Sequence, residues 1–198
     1  MIVLDNTFLS LLLYPKAKAP RDPTTGKPIT RLDDRVELLI DTWAHDNEHI
    51  LIPAPVLSEF LILADKAGPQ YLSDIDANRF YAVASFDQKA AVELAVMNLA
   101  LMRGKNRRGT AQGTWAKISF DRQVVAIAKA NNASAIYSDD KGLENFAAQH
   151  SITVVRTWEL PLPLAKQIVL PGVEGPKPTK RVNAPESDEP PDKLPEDL

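Results

Sequence analysis

The chain of 198 residues contains no cysteine, only three histidines and only eight glycines. Without cysteine there is no disulfide scaffold, no zinc or iron–sulfur site with thiolate ligands and no thiol nucleophile. The three histidines, His45, His49 and His150, lie in different parts of the chain and argue against a histidine-rich metal site. Any hydrolytic chemistry must therefore rest mainly on carboxylates.

Long apolar runs and glycine-rich motifs are also missing. No stretch of about 18 apolar residues exists, so the sequence predicts no transmembrane helix and no membrane partner. The apolar start contains Asp5 and has no basic leader, which argues against a signal peptide and favours a cytoplasmic protein. A P-loop is excluded because Gly26 and Lys27 are followed by Pro28 and no glycine stands five residues earlier.

The formal charge of −3 is distributed unevenly along the chain. Residues 171–198 hold seven prolines, seven acidic and four basic residues and almost no large apolar side chain. Such a segment buries too little surface to offset its ordering entropy, so we predict a disordered, proline-rich acidic tail. Residues 1–170, the predicted folded domain, are neutral, which argues against nucleic-acid binding by bulk charge.

Short apolar runs alternate with helical patterns over residues 1–157. The predicted strands are Ile2–Leu4, Ile50–Ile52, Phe80–Phe86, Ala135–Ser138 and Ile152–Val155. The predicted helices are 7–13, 33–46, 56–66, 87–102, one that Asp121 caps, and 141–149. This alternation predicts an α/β protein whose parallel sheet is covered by helices on both faces.

Several acidic residues fall where a parallel sheet places its ligands. Asp5 ends the first strand, and Asp139 and Asp140 follow the strand at Ala135. The carboxyl ends of such strands form binding sites. The alternative is that these residues, like Asp121, only cap the helices that follow.

Glu59 is the only charged residue between Ile50 and Ala64. Its helix is apolar nearly all round, so we expect it to be deeply buried, where a carboxylate costs several kcal/mol unless it is compensated. An ion pair is one compensation and a metal ion is another. With no cysteine and few histidines, oxygen ligands favour Mg²⁺ or Mn²⁺.

Four segments carry these acids in order: Ile2–Thr7, Pro55–Leu61, Ser119–Ala130 and Ala135–Leu143. Together they resemble the PIN-domain family of metal-dependent ribonucleases, which includes the VapC-type toxins of toxin–antitoxin pairs. The resemblance covers about residues 1–157. It implies a three-layer α/β/α sandwich with a central parallel sheet and an acidic cleft at the carboxyl edge of that sheet.

The resemblance also implies a set of site residues and a reaction. The catalytic acids are Asp5, Glu59, Asp121 and Asp140, the metal ligands are Asp5, Asp121, Asp139 and Asp140, and the supporting hydroxyls are Thr7 and Ser138. The implied activity is an Mg²⁺- or Mn²⁺-dependent endoribonuclease that leaves a 3′-hydroxyl and a 5′-phosphate. The implied partners are RNA, an antitoxin protein and a second copy of the chain.

A basic segment precedes Asp121. The candidate RNA-binding residues are Arg103, Lys105, Arg107, Arg108 and Lys117, with Trp115 among them. Cations beside a stacking aromatic suit single-stranded or looped RNA, whereas the alternative is a solvated loop. Two functions stay open: a metal-dependent ribonuclease, which could be the toxin of a toxin–antitoxin pair, and a non-catalytic RNA- or protein-binding module that retains the fold.

Overall fold

A computed structural model describes residues 1–104, 108 and 113–164, and residues 1–163 form one compact unit. The strands are β1 (Ile2–Leu4), β2 (Ile50–Pro53), β3 (Tyr81–Ala84), β4 (Ala135–Tyr137) and β5 (Thr153–Val155). The helices are α1 (Asn6–Leu13), α2 (Leu32–His45), α3 (Ala54–Ala64), α4 (Gly68–Ala77), α5 (Gln88–Arg103), α6 (Trp115–Ala130) and α7 (Lys141–Ala148). Short 3₁₀ turns lie at Asp65–Ala67 and Thr157–Glu159.

The five strands form one parallel sheet in the order β3-β2-β1-β4-β5. Strand β1 lies at the centre, where Ile2 is in register with Ile50 of β2 and with Ala135 of β4. All three residues of β1 are buried, because helices cover both faces of the sheet. The parallel sheet predicted from the alternation of apolar runs is confirmed.

The strand order determines how the helices are layered. Right-handed crossovers put the helices after β1 and β2 on one face, and the helices after β3 and β4 on the other. Helices α5, α6 and α7 pack in sequence against one another, and α1 packs against α3. The three-layer α/β/α sandwich is therefore also confirmed.

Helix α3 differs from its prediction. It is not deeply buried: Val56 and Phe60 are fully buried, but Ile62 is 79% exposed and Leu63 is 46% exposed. Glu59 lies on the exposed side. Only one face of α3 packs against the protein, so an apolar composition all round the helix did not indicate burial all round.

Helix α6 begins seven residues earlier than predicted. Its cap is Thr114, whose side chain accepts a hydrogen bond from the backbone N–H of Lys117. Asp121 therefore lies within the helix and not at its start. Helix α4 was not among the predicted helices; Pro69 lies in its first turn, where the missing N–H of proline costs no hydrogen bond.

Two further predictions concern a membrane-spanning helix and the C-terminal tail. Within the described residues, no helix is both long enough and apolar enough to cross a bilayer. The predicted acidic tail, 171–198, and the predicted domain boundary at 170 lie outside the described residues and stay predictions.

Candidate functional site

A cleft of about 530 Å³ opens at the carboxyl edge of the sheet. Its acidic side chains come from four different places in the fold: Asp5 between β1 and α1, Glu59 from α3, Asp121 from α6 and Asp140 at the start of α7. Its other lining residues are Asn6, Thr7, Ala116, Lys117, Phe120, Val124 and Leu143. The structure thus brings together the four predicted catalytic acids and two further predicted site residues, Thr7 and Lys117.

Asp5 is 8% exposed and is held by both of its carboxylate oxygens. Its Oδ1 accepts a hydrogen bond from the backbone N–H of Phe8 at 3.0 Å, which caps α1. Its Oδ2 accepts a hydrogen bond from the hydroxyl of Ser138 at 2.5 Å. Burial raises the pKa of Asp5 to about 7, although these hydrogen bonds oppose the shift. Asp5 is therefore both a helix cap and a cleft residue.

Ser138 connects the ends of β1 and β4. Its fully buried hydroxyl also accepts a hydrogen bond from the backbone N–H of Asp140 at 3.1 Å. Asp140 in turn caps α7, because its Oδ1 accepts from the N–H of Leu143 at 2.9 Å. One serine thereby fixes the positions of two acids that lie far apart in the sequence.

Lys117 lies between Asp140 and Asp121. Its Nζ is 2.5 Å from Oδ2 of Asp140 and 3.4 Å from Oδ2 of Asp121. Burial alone would raise the pKa of Asp140, but hydrogen bonds from Lys117 and the Leu143 N–H, with the charge of Lys117, lower it overall. The pKa of Asp121 is raised by burial and by the charge of Asp140, against the opposing effect of Lys117.

Asp139 points away from this cleft. Its Oδ1 accepts from the backbone N–H of Thr157 at 2.7 Å and its Oδ2 accepts from the Thr157 hydroxyl at 2.6 Å. It is absent from the residues that line the cleft. The structure therefore assigns Asp139 to the connection between β4 and the turn after β5, whereas the sequence resemblance placed it among the metal ligands.

The predicted RNA-binding residues are only partly described. Arg103 ends α5 and is exposed, while Lys105 and Arg107 lie outside the described residues. The guanidinium of Arg108 lies over the ring of Trp115 at 5.3 Å, and both side chains are exposed. The buried Arg122 donates to the carbonyl oxygen of Arg108 at 3.1 Å, which ties this residue to α6. A cation and an aromatic ring thus lie near the first turn of α6, which also carries Lys117.

Two features of the cleft were missed at the level of sequence. The contact of Lys117 with Asp121 is an i, i+4 pair, which would have been visible had Thr114 been recognised as the cap of α6. Gly142 is the second feature: a Cβ there would lie 3.0 Å from Oδ1 of Asp140 and 3.3 Å from Oδ2 of Asp121. In the sequence, the only indication of this feature is that a glycine stands in the first turn of a predicted helix.

The chemistry of the cleft fits a hard divalent cation. Within residues 1–104, 108 and 113–164, no group of three or more acidic or histidine side chains has the arrangement of a complete metal site. However, the ammonium of Lys117 is a stand-in cation that two carboxylates already share, and Gly142 leaves the adjoining space open. Mg²⁺ suits such a site, because it keeps several waters and needs only one or two carboxylates.

Comparisons with known proteins support the fold. No protein-family model matches the chain, and no curated protein matches it. Among solved structures, a chain of VapBC2 from Rickettsia felis, bound to a promoter DNA fragment, is 16% identical with a TM-score of 0.50, over 79% of this chain and 98% of that one. At this identity the likeness establishes the fold, and it confirms the PIN-like class predicted from the sequence.

Two other solved structures match with a TM-score of 0.46. They are DNA-bound VapBC from Salmonella typhimurium, 15% identical over 79% of this chain and 97% of that one, and VapC20 from Mycobacterium tuberculosis, a sarcin–ricin loop cleaving toxin. The latter is 14% identical over 79% of this chain and 99% of that one.

Proposed function

We propose that this protein is an Mg²⁺- or Mn²⁺-dependent endoribonuclease whose reaction takes place in the cleft at the carboxyl edge of the sheet. The observation that carries the proposal is the convergence of Asp5, Glu59, Asp121 and Asp140 from four elements on one cleft. Helix caps alone do not explain this convergence, because Glu59 and Asp121 cap nothing and lie within helices.

Asp5, Asp121 and Asp140 are the residues that would hold the cation. When bound, Mg²⁺ or Mn²⁺ supplies charge neutralisation at the phosphate and lowers the pKa of a water. Ser138 keeps the Asp5 carboxylate directed toward the cleft, and the Leu143 N–H does the same for Asp140. Asp5, Asp121 and Asp140 thus enter the reaction from fixed positions, which limits reorganisation.

Glu59 has a different part in this scheme. Its side chain lines the cleft from α3 but belongs to an exposed residue, so solvent reaches it. We assign it to orienting the attacking water through its carboxylate. The water oxygen bonds to phosphorus and gives up a proton to bulk water, the bond from phosphorus to O3′ breaks, and O3′ takes up a proton from bulk water. The products are a 3′-hydroxyl and a 5′-phosphate.

RNA would approach the cleft past Trp115, Arg108 and Arg103. Trp115 is 41% exposed, and a half-exposed indole offers a surface on which a base can stack. The guanidinium of Arg108 beside it provides a cation for the backbone of the strand. Single-stranded or looped RNA is the expected substrate, because its bases are free to stack.

The test is cleavage of single-stranded RNA by the purified full-length chain with Mg²⁺ or Mn²⁺, compared with EDTA. Asp140→Asn should fold, because asparagine also caps helices, and should lose cleavage. Asp87→Asn is the matched control, because Asp87 also caps a helix through its carboxylate but lies outside the cleft. Equal loss in both variants, or cleavage that persists in EDTA, would contradict the proposal.

The alternative is a binding module without catalysis. The same purified protein and cleavage assay distinguish it from a ribonuclease. Such a module would bind RNA or a protein and show no cation-dependent cleavage by wild type. An antitoxin is the protein partner that we propose, since the Rickettsia felis structure of the same fold is a VapBC2 assembly. Co-expression with the product of the adjacent gene, followed by purification through one of the two, tests whether they form a complex.

A further inference from the structure

The ammonium group of Lys117 occupies the space between two carboxylates of the cleft. Nζ lies 2.5 Å from Oδ2 of Asp140 and 3.4 Å from Oδ2 of Asp121. The Oδ1 of Asp140 accepts a hydrogen bond from the N–H of Leu143, and the Oδ2 of Asp140 faces Lys117. One positive charge is thus shared by acids from the middle of α6 and the start of α7.

The two carboxylates are fixed, whereas the lysine is not. Asp121 has a side chain that is 12% exposed in the middle of α6, and Asp140 is held in place as the cap of α7. The Lys117 side chain is 47% exposed and belongs to the first turn of α6. Its four-carbon stem can turn outward and hydrate the ammonium without breaking a backbone hydrogen bond. Asp121 and Asp140 thus form a rigid pair of carboxylates, which we call the cradle. The Lys117 ammonium between them can be exchanged for another cation.

Lys117 also reduces the repulsion within the cradle. The charge of Asp140 raises the pKa of Asp121, and the charge of Lys117 opposes this effect. A second cation in the same space would meet the ammonium directly, because both would need the two Oδ2 atoms. A divalent ion and the inward position of Lys117 therefore exclude each other.

We propose that Lys117 is a built-in counter-ion of the cleft and that a divalent cation binds Asp121 and Asp140 by displacing it. This inference rests on the proposed function, since it names how the chain controls the same site. Lys117 stabilises the metal-free protein and weakens its affinity for the cation. Once displaced, its ammonium is released toward the mouth of the cleft.

The test measures Mn²⁺ binding and not activity. Isothermal titration of metal-free full-length protein with MnCl₂ compares wild type with Lys117→Met and Lys117→Arg. The methionine keeps the length of the stem and removes the charge, so the dissociation constant should fall about fivefold, the scale of a partly exposed ion pair. The arginine keeps the charge and should bind no more tightly than wild type.

Lys141→Met is the matched control. Lys141 is a lysine next to Asp140 in the sequence, but it does not line the cleft and forms no ion pair with the cleft acids in the part of the chain that is described. Its removal changes the net charge by the same amount. Its Mn²⁺ affinity should stay close to that of wild type, which separates displacement of Lys117 from a general gain in negative charge.

A second measurement follows thermal unfolding at low salt. In EDTA, Lys117→Met should unfold at a lower temperature than wild type, because Asp121 and Asp140 lose their counter-ion. Mn²⁺ should raise its unfolding temperature by more than it raises that of wild type.

If wild type binds Mn²⁺ and Lys117→Met binds it equally or less tightly, the counter-ion role is wrong and the metal site stands. An equal gain in Lys141→Met also overturns the role. If neither wild type nor Lys117→Met binds Mn²⁺, the metal site and the role of Lys117 both fail.

Discussion

Ser138 donates a hydrogen bond from its fully buried hydroxyl to Oδ2 of Asp5, 2.5 Å away and 133 positions earlier in the sequence. This contact joins the ends of the central strand β1 and of its neighbour β4. Among the hydrogen bonds that lower the pKa of Asp5 against the effect of burial, this one has the largest effect. The geometry of the cleft therefore depends on a residue that does not line it.

Ser138→Ala should destabilise the protein by about 1–3 kcal/mol, because the buried carboxylate of Asp5 and the N–H of Asp140 both lose a partner. Urea unfolding measures this loss. Ser10→Ala is the control, since Ser10 is also buried but makes only a 3.4 Å contact with Asn6. Equal stability of the two variants would show that the Ser138 hydrogen bond contributes little.

Asp5 should make the stability of the metal-free protein depend on pH. Its pKa is about 7 in the folded chain, against 3.8 for an exposed aspartate, so the folded state binds more protons between these values. The contribution of protonated Asp5 to the free energy of unfolding is fully present below pH 4. It is lost as the pH rises to 7, by at most about 1.4 kcal/mol per pH unit. Asp5→Asn removes this dependence.

Unfolding in EDTA from pH 4.5 to 8 compares wild type with Asp5→Asn. The free energy of unfolding of wild type should fall relative to the variant up to about pH 7 and then run parallel to it. Parallel curves over the whole range would mean that the pKa of Asp5 is not raised.

Gly142→Ala should separate metal binding from folding. The added Cβ would crowd Oδ1 of Asp140 and Oδ2 of Asp121, while alanine is a better helix former than glycine by about 0.5–1 kcal/mol. The shift of these two carboxylates should offset the gain in helix propensity, so we expect an unfolding temperature close to that of wild type and Mn²⁺ binding weaker by about tenfold. Gly104→Ala, beyond the end of α5, should leave Mn²⁺ binding unchanged. Unchanged affinity in Gly142→Ala would place the cation away from this pair.

Asp139→Asn tests whether the first acid of the pair after β4 is structural. The substitution leaves one oxygen to accept two hydrogen bonds from Thr157, so we expect a loss of about 1–3 kcal/mol in unfolding free energy. Calorimetric titration should show unchanged Mn²⁺ affinity. A large loss of Mn²⁺ affinity with an unchanged free energy of unfolding would show that Asp139 is a metal ligand.

Trp115→Ala should weaken the binding of single-stranded RNA by about 1–3 kcal/mol, the scale of one base stacked on an aromatic ring. Fluorescence anisotropy in the Asp140→Asn background measures binding without cleavage. Trp158→Ala is the control, because the Trp158 ring also has an arginine over it, Arg156 at 5.0 Å, but belongs to the turn after β5 and not to the first turn of α6 that carries Lys117. Equal losses in the two variants would place the RNA elsewhere.

The sequence by itself determined the parallel sheet and the positions of Asp5 and Asp140. Strands buried on both faces require continuous apolar runs, and Ile2–Leu4 and Ala135–Tyr137 are such runs. An aspartate between a strand and the helix that follows it can cap that helix, and the cap directs one carboxylate oxygen to the backbone. Both residues do this, and the ends of parallel strands then bring them to the same edge.

Only the tertiary structure decided how the remaining residues act. Glu59 is exposed because one face of α3 packs, and composition does not reveal which face that is. Asp139 and Asp140 are neighbours, but in extended backbone successive side chains point to opposite sides, so Asp139 meets Thr157 and Asp140 faces the cleft. Lys117 shares its charge between Asp121 and Asp140 because α6 packs against α7, a contact between segments 23 residues apart that no local pattern specifies.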